Sequence, residues 1–126
     1  MIERGDRHHA ALRCAQSGAA FIHNAYHYAE GLARFKNRIP VAPEAADGLK
    51  RVARDRTAWL DRMFGDGPYL CGQRFTAADI WLYVWLDFGD GTGQPFDHTL
   101  ARLGPWFERI NTRPSAERSR QLLAGA

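Results

Sequence analysis

The stretch FTAADIWLYVWL, from Phe75 to Leu86, carries a strong start signal for a helix. Thr76 and Asp79 have the spacing of a capping box, in which the threonine oxygen accepts from the Asp79 amide and the Asp79 carboxylate accepts from the Thr76 amide. Phe75 and Ile80 occupy the two positions of a hydrophobic staple, which sets how the chain enters the helix. We interpret these four residues as a folding device and not as an active site.

The residues after this start signal predict a helix that lies among other helices. Every residue from Ile80 to Leu86 is apolar, and a helix that is apolar on all sides needs neighbours around it. A buried helix end also needs acceptors for its free amides, which the capping box provides. We therefore expect a central buried helix near residues 76–88.

Four other segments carry helical periodicity, and none alternates with the period of two that marks a strand. The first is rich in alanine and runs from about Glu3 to Phe35. The others begin near Pro43, Leu100 and Pro114, and the two prolines stand where a first helical turn tolerates proline. The sequence predicts an all-α bundle of about five to six helices.

Length and charge restrict the class of protein. The 126 residues, 45% hydrophobic and 25% charged, fit one folded domain over residues 1–126. A formal charge of +3, spread over 17 basic and 14 acidic residues, does not indicate a nucleic-acid groove. The longest apolar run is too short for a membrane span, and the charged N-terminus is unlike a signal peptide. We expect a cytoplasmic protein with no nucleic-acid or membrane partner.

The candidate metal ligands and thiols have simpler explanations. A zinc site needs three or four converging ligands, so solvated or partly buried side chains are favoured for the histidines of the first segment: His8, His9, His23 and His27. The two cysteines, Cys14 and Cys71, have no metal-ligand spacing and cannot form a disulfide framework. We expect no metal site and two reduced thiols.

The glycine-rich stretch DFGDGTGQPFD, residues 87–97, has a spacing that superficially suggests a phosphate loop. A phosphate loop follows a strand and opens a helix, whereas this stretch leaves a helix and leads to Pro95. A helix C-cap followed by a turn is therefore the favoured interpretation. Asp87 and Asp90 bracket that helix end, which favours a solvated turn role over a catalytic carboxylate pair.

Two stretches resemble one known family. YLCGQRFTAADI, Tyr69–Ile80, resembles the pattern (F/Y)L.G..(F/L)(S/T).AD(I/L) in the C-terminal helical domain of cytosolic glutathione S-transferases. PWFERINTRPS, Pro105–Ser115, resembles the helix and Arg-Pro break that follow that pattern. With residues 35–64 the resemblance covers almost the whole chain. It implies the helix order of that domain, with Thr76 and Asp79 as the capping box of its buried sixth helix.

The resemblance also implies what this chain lacks. In that family the glutathione site and the catalytic Ser, Tyr or Cys lie in an N-terminal thioredoxin-like domain, and no strands of that kind are predicted here. The chain then corresponds to a C-terminal half with no catalytic residue and no cofactor of its own. Glutathione is the co-substrate of the complete enzyme, and the chain alone is expected to be inactive. The alternative is a non-catalytic helical interaction module, as found appended to translation factors and synthetases.

In the family, the early part of the first helix of this half lines the pocket for the electrophile and helps to form the dimer. By position, the resemblance makes Arg13, Ser17 and Phe21 the candidates for binding a small apolar electrophile. A second apolar stripe on the same segment includes Cys14, Phe21 and Tyr28. That stripe predicts a contact surface, either for a second copy in a homodimer or for a thioredoxin-like N-terminal domain.

Overall fold

A computed structural model of the chain describes residues 43–125. The predicted first helix, from about Glu3 to Phe35, lies outside these residues. The described part is a single 3-10 turn, Pro43–Ala45, followed by four α-helices. They are α1 (Ala46–Met63), α2 (Ala77–Gly91), α3 (Leu103–Asn111) and α4 (Pro114–Ala124). Across residues 43–125 the only extended pairing is one isolated bridge between Tyr69 and Gly72, so the predicted all-α class is confirmed.

Helix α1 forms where the sequence predicts it, after the first turn at Pro43. Asp47 in its first turn and Arg62 in its last turn have the charges that the helix dipole favours. Its buried residues fall at helical intervals on one face: Ala46, Ala53, Thr57 and Leu60. Thr57 is a polar residue on this face, and its hydroxyl donates to the Ala53 carbonyl oxygen at 2.7 Å. That bond lets the hydroxyl be buried without an unpaired polar group.

Helix α2 has a buried face and an exposed face. Its buried residues repeat at helical intervals: Asp79, Leu82, Tyr83, Leu86 and Gly89. On the opposite face Ile80, Trp81 and Val84 keep about half of their surface, at 50%, 51% and 53% exposure. The expectation that this apolar helix is enclosed on all sides is therefore corrected. Apolar composition alone does not tell which sides of a helix find neighbours, and the core of the described residues covers only one side.

The glycine-rich stretch ends α2, as the sequence predicts. Gly93 has a φ of 81°, in the left-handed region that glycine adopts without a steric penalty. The Gln94 amide donates to the Gly89 carbonyl oxygen at 2.8 Å, the long-range bond of a Schellman motif. The Thr92 hydroxyl donates to the Phe88 carbonyl oxygen at 2.8 Å. These bonds satisfy carbonyl groups that the helix end leaves free.

The core lies between α1, α2 and α3. Trp106 and Leu103 of α3 are completely buried. The Phe107 ring lies 5.0 Å from the Tyr83 ring of α2, and the Phe64 ring makes an edge contact with Trp106 at 6.5 Å. Aromatic side chains bury large areas and prefer such offset or edge geometries. One aromatic cluster therefore joins the three helices.

The N-terminus of α3 is capped by a residue of another helix. Arg102 precedes α3 and makes no side-chain cap bond there. Instead, Asp61 Oδ1 of α1 accepts from the Arg102 amide and from the Leu103 amide, both at 2.8 Å. A carboxylate at this position satisfies two free amides and interacts favourably with the helix dipole. Asp61 therefore fixes the start of α3 against the end of α1.

Replacing Asp61 with alanine should lower the free energy of unfolding by about 1–2 kcal/mol, because two helix-terminal amides lose their acceptor. Urea denaturation followed by circular dichroism measures the change. Asp66→Ala is the matched control, since Asp66 is fully exposed and only pairs with Arg102 at 3.3 Å. Its denaturation midpoint should equal that of the parent chain. Equal midpoints for all three proteins would contradict the capping role of Asp61.

Candidate functional site

The Asp79 hub is defined here as the Asp79 carboxylate with the three groups that donate to it at 3.0 Å or less. Oδ1 accepts from the Leu70 amide at 3.0 Å and from the Trp106 indole Nε1 at 2.8 Å. Oδ2 accepts from the Thr76 amide at 2.9 Å. The side chain is completely buried. Both oxygens are therefore committed to structural donors, and a carboxylate in this state is not free to act as a general base.

Thr76 stands at the N-cap of α2, and its amide supplies one donor of the Asp79 hub. The Asp79 amide in turn donates to the Thr76 carbonyl oxygen at 3.0 Å. The Thr76 hydroxyl lies 3.4 Å from Asp79 Oδ2 and 3.6 Å from the sulfur of Cys71. Cys71 is a free, half-buried thiol. The side chains of Thr76, Asp79 and Cys71 thus form a small polar cluster at the start of α2.

The two staple positions have different surroundings. Phe75 makes an edge contact with the Tyr69 ring at 5.7 Å. The guanidinium carbon of Arg113 lies 3.7 Å above the Phe75 ring, in cation–π geometry. Ile80 is half exposed on the other face. Phe75 therefore connects the turn before α2 to the junction between α3 and α4.

The α2 ridge is defined here as the exposed apolar residues Ile80, Trp81 and Val84. Trp81 makes an edge contact with Trp85 at 6.1 Å, and Trp85 makes one with Phe88 at 5.5 Å. Trp85 and Phe88 in turn pack partly against the core. The ridge is thus continuous with the interior and held by a row of aromatic rings. Contiguous exposed apolar side chains are typical of an interaction surface.

An open groove lies where the end of α1 meets the start of α3, and its rim carries two arginines. Arg102 Nη1 donates to the Gly65 carbonyl oxygen at 2.9 Å. Arg109 Nη1 donates to the Pro68 carbonyl oxygen at 2.7 Å. Both guanidinium groups therefore hold the turn after α1. An open groove edged with committed cations is a poor fit for an apolar ligand, which prefers a concave apolar pocket.

Of the two acidic residues at the end of α2, Asp90 contacts the loop that follows the helix. Asp90 Oδ2 lies 2.8 Å from His98 Nε2, while Asp87 is exposed. The His98 ring also packs on Phe96, with 3.9 Å between ring centroids. Gly104 leaves room for this loop, because a Cβ there would lie 2.3 Å from the His98 carbonyl oxygen. Sequence reasoning missed His98, which carries no local signal for its contact with Asp90.

His98 lies within a local turn that Asp97 and Thr99 form. The Asp97 carboxylate accepts from the Thr99 hydroxyl at 2.5 Å and from the Thr99 amide at 2.9 Å. These hydrogen bonds to the charged form hold the pKa of Asp97 below its usual value. Asp97 is fully exposed, so the two bonds organise the loop and form no buried site.

The residues predicted to bind substrate, Arg13, Ser17 and Phe21, lie outside the described residues. The same holds for the second apolar stripe with Cys14 and Tyr28, and for the four histidines of the first segment. Between residues 43 and 125, no three His, Cys, Asp or Glu side chains are grouped so that they could hold a metal ion. The described part therefore contains none of the residues that the sequence predicts to bind substrate.

Replacing Asp79 with alanine should cost about 3–5 kcal/mol of unfolding free energy, because the Trp106 indole, the Leu70 amide and the helix cap lose their acceptor together. Thr76→Ala is the matched variant, since it keeps the Thr76 amide and removes only the hydroxyl that forms the other half of the capping box. Its cost should stay below about 1 kcal/mol. Guanidinium denaturation followed by tryptophan fluorescence compares the two. Similar costs for both variants would mean that the carboxylate is not the anchor.

The family model "Glutathione S-transferase, C-terminal domain" matches residues 16–114. No curated protein and no solved structure matches the chain. None of the helices described between residues 43 and 125 is both long and apolar enough to cross a bilayer. The match spans most of the chain and includes α1, α2, α3 and the Asp79 hub. The chain therefore belongs to the family of glutathione S-transferase C-terminal domains.

Proposed function

We propose that this chain is the electrophile-binding half of a glutathione S-transferase-like protein. The observation that carries the proposal is the family match over residues 16–114. In the complete enzyme a thioredoxin-like half binds glutathione and lowers the pKa of its thiol. The helical half holds a small apolar electrophile beside the resulting thiolate. In this proposal the rate gain from the helical half comes from proximity and orientation, and the other half activates the nucleophile.

The chemistry assigns a limited role to the residues of this chain. The glutathione sulfur forms a bond to the electrophilic carbon, and a leaving group such as a halide departs with its electron pair. Arg13, Ser17 and Phe21 are our candidates for the wall of the electrophile pocket. The Asp79 hub holds the start of α2 against the middle of α3. In this proposal the thioredoxin-like half supplies the thiol-activating group, so we expect no conjugation by the chain alone.

A partner surface is the second part of the proposal. The α2 ridge exposes Ile80, Trp81 and Val84 on a helix that the core holds rigidly. Such a surface supports association with a thioredoxin-like half or with a second copy of the chain. A cytoplasmic location accompanies this role, and the free thiol of Cys71 is compatible with a reducing compartment.

A non-catalytic interaction module is the second candidate function. The α2 ridge favours it, because an exposed apolar surface serves a partner protein whether or not a substrate is bound. The open groove at Arg102 and Arg109 offers no enclosed apolar site of its own. The two candidates differ in one measurable respect, since only the first produces conjugation when a thioredoxin-like half is supplied.

Conjugation of glutathione to a halonitrobenzene, followed by absorbance, tests the proposed chemistry. The chain alone should not exceed the uncatalysed rate, and adding a purified thioredoxin-like domain from a related enzyme should raise it. Phe21→Ala should then raise the KM for the electrophile about tenfold, the effect of losing one apolar contact. Leu122→Ala, at an exposed position, is the control and should leave KM unchanged.

Two outcomes of this assay contradict the proposal. Enzyme-level turnover by the chain alone, abolished by a change at Cys14 or Tyr26, would reveal a thiol-activating site within the chain. A thioredoxin-like domain that binds the chain without raising conjugation would support the interaction module instead.

The α2 ridge can be tested without any activity. Trp81→Glu should weaken self-association or binding of a thioredoxin-like domain at least about tenfold, because a charge would have to be buried at the contact. The melting temperature should change little, since Trp81 is half exposed. Leu122→Glu is the matched control at another exposed apolar position. Analytical ultracentrifugation measures both variants, and equal association by both would exclude the ridge as the contact.

A further inference from the structure

Helix α4 has little apolar anchoring. None of its 11 residues is buried, and Leu122 and Leu123 are 77% and 75% exposed. In α4, Ala116 is the residue that packs partly against the core. A helix of about 11 residues is marginal by itself in water. Its place on the domain must therefore depend strongly on polar contacts.

Those contacts converge on one guanidinium group. Arg120 Nη1 donates to Asn111 Oδ1 at 2.6 Å and to the Tyr83 hydroxyl at 3.0 Å. Arg120 Nη2 donates to the Asn111 carbonyl oxygen at 3.1 Å. The α4 latch is defined here as Arg120 with these two residues. It connects α4 to the middle of α2 and to the end of α3.

The acceptors of the α4 latch stand on α2 and on the end of α3. Tyr83 is buried, and its ring packs on Phe107 at 5.0 Å. Its hydroxyl donates to Asn111 Oδ1 at 2.7 Å. Burial, with a contribution from Asp87, raises the Tyr83 pKa above its usual value, so the hydroxyl keeps its proton and can both donate and accept. The acceptors therefore remain in place when Arg120 leaves.

The connection between α3 and α4 is short and has a fixed backbone conformation. Two residues, Thr112 and Arg113, separate α3 from α4. Arg113 is extended, with φ −67° and ψ 142°, and Pro114 follows at the first helical position. Proline disfavours a helical conformation in the residue before it. The Arg113 guanidinium lies over the Phe75 ring. This contact attaches Arg113 to the turn before α2, so α4 begins directly after an anchored residue.

We propose that α4 is a strap that opens as a unit when the α4 latch releases, while α1, α2 and α3 stay folded. Opening frees the Tyr83 hydroxyl and the Asn111 side chain, which Arg120 covers in the closed state. The strap is thus a two-state element controlled mainly by one side chain. Segments with few buried apolar contacts are those that open below the free energy of global unfolding.

Amide hydrogen exchange of the whole chain, measured by mass spectrometry, tests the strap. Arg120→Ala should speed exchange in peptides from α4 about tenfold, because the charge-assisted bonds that close the strap are lost. Exchange in α2 and α3 should stay as in the parent chain. Arg118→Ala, on the same exposed helix, is the matched control and should leave α4 unchanged. Tyr83→Phe, which removes one acceptor and keeps the ring, should give a smaller increase.

Two results would overturn the proposal. One is equal acceleration of exchange in α2, α3 and α4 by Arg120→Ala, which would make Arg120 part of the global fold. The other is α4 exchange no faster in Arg120→Ala than in Arg118→Ala. Arg120→Gln, which keeps a long polar side chain in the helix, is the second variant if the alanine variant does not fold, and the same two criteria apply to it.

Discussion

The buried carboxylate of Asp79 is the interaction on which the described structure depends. It is completely buried, and it receives hydrogen bonds from the Leu70 amide, the Thr76 amide and the Trp106 indole. A buried charge without such donors would be strongly destabilising. The same three bonds position the turn before α2, the start of α2 and the middle of α3. One side chain therefore determines how three segments meet.

A second carboxylate acts in a similar way at the next helix. Asp61 accepts from the two amides at the start of α3, so the end of α1 and the start of α3 are linked. The aromatic cluster around Trp106 and Phe107 fills the space between these two anchors. Helix α4 lies outside this arrangement, since it has no buried residue. The result is a rigid frame of three helices with a weakly anchored fourth.

A rigid frame with an exposed apolar ridge suits the helical half of an enzyme, which binds a substrate and positions it for reaction. Among the described residues, the buried acid of the Asp79 hub is committed to structure, while Ile80, Trp81 and Val84 are available for contact. The family match assigns this frame to the C-terminal half of glutathione S-transferases. Our functional proposal follows from that division, with chemistry supplied by a partner half and binding supplied by this chain.

Local signals in the sequence were sufficient for the four helices described between residues 43 and 125 and for the turn after α2. The Thr76 and Asp79 spacing, the glycine at position 93 and the periodicity of α1 each act within a few residues, so they can be read along the chain. Oδ1 of Asp79 accepts from the Trp106 indole, 27 residues away, and Asp61 accepts from the Arg102 amide, 41 residues away. The exposed side of α2 and the partners of Arg120 also depend on which helix faces come together. Only the tertiary structure decided these features, because side-chain packing selects partners that are distant in the sequence.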